Sequence, residues 1–195
     1  MDRTLWYDSP AREWNGALPL GNGRVGAMVF GGVAEERIAL NEDSLWYGGP
    51  RSRLTPDARA NVGKIQELLF QCRIHEAEQL SMTALADVPE NPAHDVPLGD
   101  LGIDFRNHEG IPVRYRRQLD IENAACRVTY ELDGVEFTRE VIVSARDQVL
   151  AVRLTAGRPG ALSCAIRFTR ERYAGDLSHP DDRTILMRSS GGRSG

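Results

Sequence analysis

A short segment near residue 41 contains the side chains of this chain whose types and spacing best suit chemistry. Asn41, Glu42 and Asp43 supply amide and carboxylate groups, and two aromatic residues, Trp46 and Tyr47, follow shortly afterwards. Aromatic faces stack on the apolar C–H face of a pyranose ring, while carboxylates and amides hydrogen-bond to its hydroxyl groups. The residue types therefore suit recognition of a carbohydrate, with Asn41, Glu42 and Trp46 as candidates for a pocket or a domain interface.

A purely structural role explains the same residues. In that interpretation Asn41 and Glu42 hold the loop by bonding backbone amides, and Trp46 packs under the turn at residues 48–50. Catalysis by the adjacent acids is not expected. The two carboxylates of a glycosidase stand about 5 to 9.5 Å apart, whereas neighbouring residues on a strand point to opposite faces. We assign no catalytic residue to the chain.

The glycine-rich stretch from Gly21 to Gly26 has the spacing of a dinucleotide-binding loop. That fingerprint requires a strand before the glycines and a helix after them. The apolar run that follows Gly26 has the pattern of a strand instead. We therefore expect tight turns of a β-sheet here, and no nucleotide.

The cysteines and histidines give no sign of a metal or redox site. The cysteines are odd in number and lack CxxC spacing, so we expect buried free thiols. The histidines lack the HxH and HExxH spacings of metal ligands, so we expect solvated or capping roles. The residues concerned are Cys72, Cys126, Cys164, His75, His94, His108 and His179. Neither a bound metal nor a cofactor is expected.

Charge and hydropathy narrow the classes of partner. The 195 residues carry a formal net charge of −4, with acids and bases interspersed, which offers no basic surface to nucleic acid. No apolar run has the length of a secretory signal or of a membrane span of roughly 20 residues. We expect a soluble, cytoplasmic chain without nucleic-acid or membrane partners, while a secreted parent protein stays open. Arg114, Arg116 and Arg117 alternate with Val113 and Tyr115, which predicts a solvated strand edge or a contact with a neighbouring domain.

A helical segment follows the glycine-rich N-terminal part. Thr55, Pro56 and Asp57 form a helix start signal. Two apolar stripes at helical spacing come next, and they consist of Val62, Ile65, Leu69 and Cys72, then of Ile74, Ala77, Leu80 and Ala84. This pattern predicts one or two helices in an insert at about residues 55–86, before a proline-containing loop that runs to Pro97.

Alternating apolar and polar residues predict β-strands in most of the remaining chain. Runs at residues 26–30 and 37–40 have this character, and residues 126–143 predict a hairpin whose turn is Asp133 and Gly134. Further strands are predicted at residues 149–154, 162–168 and 183–187. Short alternating strands at this spacing favour an antiparallel β-sandwich. The predicted fold is therefore mainly β with a helical insert.

A series of sequence blocks lies at residues 14–32, 36–50, 97–101, 115–121 and 134–141. The first two blocks contain the segments ALPLGNGRVGAMVFGG and ERIALNEDSLWYGGP. In order and rough spacing the series resembles the N-terminal domain of glycoside hydrolase family 95, the α-L-fucosidases. The resemblance covers most of the chain, which makes chance a poor explanation.

The resemblance implies a single N-terminal β-sandwich domain over residues 1–195, of the super-sandwich type found in glycoside hydrolases. It also implies that the chain is truncated at its C-terminal end and lacks the catalytic (α/α)6 barrel. The parent enzyme would hydrolyse terminal α-L-fucosyl linkages without a metal, so the partner would be a fucosylated glycan bound through the missing barrel. We expect uncovered strand edges to favour homo-oligomers.

Two alternatives stay open. The chain could be a free-standing carbohydrate-binding module. A row of exposed tryptophans on one sheet face would support that alternative, and burial of Trp6, Trp14 and Trp46 would count as evidence against it. The same domain could also belong to a sibling glycosidase or phosphorylase of another specificity, because specificity is decided in the barrel.

Overall fold

The computed structural model describes residues 3–47, 57–85, 94–171 and 175–189. About half of these residues lie in β-strands, which pair antiparallel, and two helices occupy the predicted insert, so the predicted fold class is confirmed. The described residues form two compact units. The first unit contains residues 3–45, 95–171 and 175–189, and the second contains residues 46–47, 57–85 and 94.

The strands, in chain order, are β1 (Thr4–Tyr7), β2 (Leu18–Gly21), β3 (Val25–Val29), β4 (Glu35–Glu42), β5 (Trp46–Tyr47), β6 (His94–Asp95), β7 (Gly99–Phe105), β8 (Val113–Asp120), β9 (Ala125–Leu132), β10 (Val135–Ser144), β11 (Val149–Ala156), β12 (Cys164–Thr169), β13 (Leu177–Asp181) and β14 (Thr184–Met187). The helices are α1 (Ala58–Phe70) and α2 (Ile74–Ala84), and a 3-10 turn covers Trp14–Gly16. The predicted proline-containing loop lies largely outside the described residues.

Two five-stranded antiparallel sheets make up most of the first unit. One has the strand order β1-β8-β9-β10-β11, and the other has the order β12-β7-β4-β3-β2. Outside these sheets, β13 pairs with β14 and β5 pairs with β6. Successive side chains on a strand point to opposite faces. The alternating sequences therefore give each large sheet one buried apolar face, and the two faces form a common core.

The β9–β10 hairpin is the best example of a sequence pattern that sets local structure. Asp133 and Gly134 both have positive φ, 50° and 73°, as a two-residue type I′ turn requires. The turn brings Val128 and Val141 to the same side of the sheet, where neither is exposed to solvent. The predicted hairpin and its turn are confirmed.

A charged pair lies in the middle of the apolar core. Glu36 on β4 and Arg139 on β10 form an ion pair between the two sheets, and both side chains are almost completely buried. Glu36 Oε1 also accepts a hydrogen bond of 2.8 Å from the Gly31 amide, and both terminal nitrogens of Arg139 donate to the Gly32 carbonyl at 3.1 Å. The Tyr115 hydroxyl donates to the Gly31 carbonyl at 2.6 Å. Two sheets and one turn thus meet at a single polar centre.

The two helices contact each other, and Ile65, Ala77 and Ala84 are their buried residues. The chain leaves α1 through a Schellman motif, in which the Cys72 amide donates to the Leu69 carbonyl and the Arg73 amide to the Leu68 carbonyl. Cys72 has φ 56° and is exposed. The prediction of a buried thiol is wrong for Cys72, because the residue ends the helix instead of continuing its apolar stripe. Cys126 is buried and Cys164 is half-buried.

His108 also departs from expectation. Instead of being solvated, its imidazole is buried against the rings of Phe105, Tyr130 and Phe137, with centroid distances of 5.1, 5.9 and 4.4 Å. Its Nδ1 lies 3.1 Å from the Arg106 carbonyl oxygen. Burial lowers the pKa of His108, and the hydrogen bond to the Arg106 carbonyl opposes this only in part. The neutral ring serves as an aromatic core residue, which its spacing in the sequence does not reveal.

Substitution Gly31→Ala should destabilise the chain more than Gly134→Ala. Both glycines have positive φ, 78° and 73°, so both variants carry the cost of a left-handed alanine. A Cβ at Gly31 would also run into the Tyr115 hydroxyl, whereas one at Gly134 meets open space. Displacing this part-buried hydroxyl from its acceptor should add about 1–3 kcal/mol. Urea unfolding of both variants measures the difference, and equal losses would contradict this account of the turn.

Candidate functional site

Three connections of the first unit meet at one end of the sandwich, namely the β2–β3 turn, the segment after β4 and the β10–β11 turn. Asn22 joins two of them. Its Oδ1 accepts hydrogen bonds from the amides of Arg24 and Val25 at 2.9 and 2.7 Å, while its Nδ2 donates to the Ser144 carbonyl at 2.8 Å. The glycine-rich stretch is therefore a turn followed by a strand, as predicted, and its asparagine bridges the two sheets.

Glu42, the last residue of β4, is held on both carboxylate oxygens. Arg24 Nε donates to Oε1 at 2.7 Å. The Ser44 amide and hydroxyl donate to Oε2 at 3.1 and 2.6 Å. The hydrogen bond from the Ser44 hydroxyl and that from Arg24 lower the pKa of Glu42. A lowered pKa is the opposite of what a general acid needs, so this carboxylate anchors a loop.

Asn41 points to the opposite face of β4 and stands beside Gly26 of β3. Its Nδ2 donates to Asp95 Oδ2 at 3.1 Å. Because a rotated amide would place its oxygen against that carboxylate, the hydrogen bond fixes the amide orientation. Asn41 Oδ1 is buried and accepts no hydrogen bond from the described residues. The side chain thus keeps acceptor capacity beyond the contact that holds it.

Trp46 belongs to the second unit, where it begins β5, and its side chain is 51% exposed. Its expected packing under residues 48–50 lies outside the described residues. The adjacent Tyr47 ring lies 5.2 Å from the His94 ring. Asn41 and Glu42 belong to the first unit.

The other tryptophans are equally exposed, Trp6 at 56% and Trp14 at 58%. They do not form a row on a sheet face, since Trp6 lies on β1 and Trp14 in the 3-10 turn. The Arg116 guanidinium lies 4.7 Å from the centre of the Trp6 ring. One face of Trp6 is therefore occupied by a cation.

Arg117 corrects the prediction of a solvated strand edge. Its strand, β8, lies inside the sheet between β1 and β9. The Arg117 side chain is buried, donates to the carbonyls of Ser9 and Gly16 at 2.7 Å each, and lies 4.1 Å from the Tyr7 ring. The arginine secures the N-terminal segment. In the sequence, Arg117 belongs to the same basic run as Arg114 and Arg116, so the pattern alone did not distinguish it from its exposed neighbour Arg116.

Sequence reasoning also missed Arg24, which links the β2–β3 turn to Glu42. An Asn-Gly pair is a recognised turn signal, so the role of Asn22 within its own turn could have been found. Glu42 could not have been found as the partner of Arg24, because the contact between these two side chains depends on the pairing of β3 with β4.

Across the described segments, no group of three or more His, Cys, Asp or Glu side chains is placed to hold a metal. Nor does any helix within them have the length and apolar character of a membrane span.

Comparison with known proteins gives consistent matches. The family described as "Glycosyl hydrolase family 65, N-terminal domain" matches residues 5–193. Alpha-L-fucosidase 2 of Arabidopsis thaliana is 34% identical over 188 residues, which are 95% of this chain and 22% of that protein. Probable alpha-fucosidase A of Aspergillus niger is 34% identical over 164 residues, which are 79% of this chain and 20% of that protein. The chain spans about a fifth of the length of these curated relatives.

Replacement Glu42→Gln should lower stability at neutral pH. The folded-state pKa of Glu42 is lowered, so its carboxylate contributes stability above the unfolded pKa, and this contribution is lost as the pH falls through the folded pKa. The difference between wild type and Glu42→Gln should therefore shrink in acid. Urea midpoints at neutral and acidic pH measure it. Glu136→Gln is the control, because Glu136 is exposed on β10. An effect of Glu42→Gln that does not change with pH would contradict the role of the Glu42 carboxylate as an anchor.

Proposed function

We propose that this chain, which belongs to the family of glycosyl hydrolase family 65 N-terminal domains, is the non-catalytic N-terminal β-sandwich of an α-L-fucosidase like those of glycoside hydrolase family 95. The observation that carries the proposal is the 34% identity with Alpha-L-fucosidase 2 across 95% of the chain. The full-length protein would hydrolyse terminal α-L-fucosyl linkages of glycans. Catalysis would take place in an (α/α)6 barrel, supported by this domain.

The acids with the best-defined surroundings support a non-catalytic role. Both oxygens of Glu42 are engaged by Arg24 and Ser44, and its pKa is lowered. Glu36 is paired with Arg139 and closed off from solvent. A glycosidase general acid instead needs a raised pKa and access to the glycosidic oxygen. Glu42 lacks the first property, because its pKa is lowered, and Glu36 lacks the second, because it is closed off from solvent.

The segment from Asn41 to Trp46 is our candidate for contact with the barrel or the mouth of its pocket. Glu42 and Arg24 keep the start of this segment in place. Asn41 has a buried carbonyl oxygen that can accept one more hydrogen bond, and half of the Trp46 side chain is exposed. Each of these two groups, taken by itself, suits either a sugar or a packed domain surface.

A carbohydrate-binding module is the second candidate, and the exposure of Trp6, Trp14 and Trp46 favours it. Their placement on different elements, together with the cation on the Trp6 ring, weakens it. Calorimetric titration of the isolated chain with fucosylated oligosaccharides separates the two functions. Saturable binding would support the module, and its absence would support the scaffold role.

We expect the isolated chain to show no fucosidase activity, because the catalytic groups would lie in the barrel. Hydrolysis of an aryl α-L-fucoside and of a fucosylated lactose should stay at the buffer rate. The control is a full-length α-L-fucosidase assayed in parallel. Turnover that survives repurification of the chain would overturn the assignment of a non-catalytic domain.

Substitution Trp46→Ala should lower kcat/KM of the full-length enzyme, while it costs the isolated chain less stability than the loss of a buried tryptophan would. Because Trp46 is half-exposed, the chain should lose less than the about 3–5 kcal/mol typical of a buried tryptophan. Loss of an aromatic contact worth about 0.5–1.5 kcal/mol should lower kcat/KM about 2- to 12-fold. Trp14→Ala, at similar exposure, is the matched control. Unchanged kinetics in Trp46→Ala, or an equal loss in both variants, would exclude a specific role for Trp46.

A further inference from the structure

The two large sheets have four edge strands, and β11 is the least protected of them. β2 contains Pro19 and Gly21, β1 has only four residues, and β12 has six. By contrast, β11 runs for eight residues, VLAVRLTA, without proline or lysine, and Arg153 is its single charged residue. Its register with β10 is continuous from Val149 to Ala156, so no bulge twists the edge away. Natural proteins normally blunt such an edge by one of these devices.

The outer side of β11 is open within the described part of the chain. There the sheet order ends at β11, which pairs only with β10. An edge strand of this kind presents a row of backbone N–H and C=O groups that another strand can pair with. The side chains at positions 150, 152 and 154 face the core side of the sheet, and those at 151, 153 and 155 face outward.

We propose that β11 of a second copy of this chain pairs antiparallel with β11 across a two-fold axis at Val152. A two-fold pair must keep core-side residues opposite core-side residues, since a slip by one residue exchanges the two faces of the strand. The axis therefore passes through a residue and not between two residues. An axis at either Val152 or Arg153 allows seven of the eight residues to pair.

Charge decides between these two axes. An axis at Arg153 would place the two Arg153 side chains directly opposite each other, and like charges in that position destabilise a strand pair. An axis at Val152 places Arg153 opposite Ala151 of the second copy, and Leu150 opposite Leu154. Apolar core-side residues then meet across the interface, and each cation faces a methyl group. This register makes the edge self-complementary.

Arg153 retains capacity for a new partner. Its NH1 atom lies 3.5 Å from Glu140 Oε2, while the other Glu140 oxygen accepts a hydrogen bond of 2.6 Å from Arg127. One carboxylate is thus shared between two guanidinium groups on the outer face of the sheet. An acid placed opposite Arg153 by a second copy should be attracted, and a base should be repelled.

Sedimentation velocity across a dilution series tests the proposal on the wild-type chain and three variants. The wild type should show a reversible monomer–dimer equilibrium. In Ala151→Lys two like-charge pairs form across the axis, which should raise the dimer Kd about 2- to 30-fold. In Ala151→Glu two Glu–Arg pairs form, which should lower the Kd by a similar factor. Hydrogen exchange of the amides at 149–155 should slow as the concentration rises.

Ala125→Lys is the matched control. Ala125 and Ala151 both lie directly opposite Ile142, on the two sides of β10, but only Ala151 lies on the edge strand. The control should leave the Kd within about 2-fold of the wild type, because its charge is distant from the axis. Thermal melts confirm that each variant is folded.

Three results would overturn the proposal. One is a monomer at every concentration, which would mean that the edge is not used. Another is association that responds in the same way to Ala151→Lys and Ala151→Glu, or to Ala125→Lys, which would assign it to another surface. The third is a dimer without slowed exchange at β11. Because none of these measurements involves catalysis, their outcome is independent of the proposed function.

Discussion

The buried ion pair between Glu36 and Arg139 is the interaction on which the arrangement of the first unit depends. Removing two charges from water costs several kcal/mol for each ion, and only close pairing with further hydrogen bonds offsets that cost. Here the further partners are the backbone groups of Gly31 and Gly32. A small shift of one sheet against the other would leave a charge unpaired in the core. Apolar burial is non-directional and imposes no such pairing requirement.

The alignment of the two sheets that the Glu36–Arg139 pair requires extends along the paired strands. Glu36 lies on β4 and Arg139 on β10, so their pairing sets which residues of the two sheets face each other. Pairing with continuous register on both sides of β10 then extends that alignment to β9 and β11. At the far end of the sandwich, the sheets are joined again by the neutral hydrogen bond from Asn22 to the Ser144 carbonyl. The loop that starts at Glu42 is therefore presented by an aligned scaffold, although its own contacts are exposed.

Local patterns predicted most of the fold and part of the candidate site. The β9–β10 hairpin, the turn after Gly21 and the helical insert were all readable from periodicity and turn residues, because each depends on neighbours in the chain. The candidates Asn41 and Glu42 were found from residue type. Their partners Arg24 and Asp95 were not. The bond from the Ser44 amide to Glu42 agrees with the structural interpretation, in which Glu42 bonds backbone amides, although Ser44 was not named. Contacts across strands depend on register, which one sequence pattern does not reveal.

The sequence by itself determined the fold class, the position of the insert and the resemblance to a glycoside hydrolase N-terminal domain, because periodicity and motif order are properties of the linear chain. Only the tertiary structure decided which polar residues are buried. Arg117, Arg139 and His108 have the types of surface residues, yet they lie in the core, where hydrogen bonds and ring contacts from distant elements stabilise them. Burial is set by what the rest of the chain places around a side chain. Cys72 shows the converse, since a left-handed backbone conformation at the helix end turned an expected core residue outward.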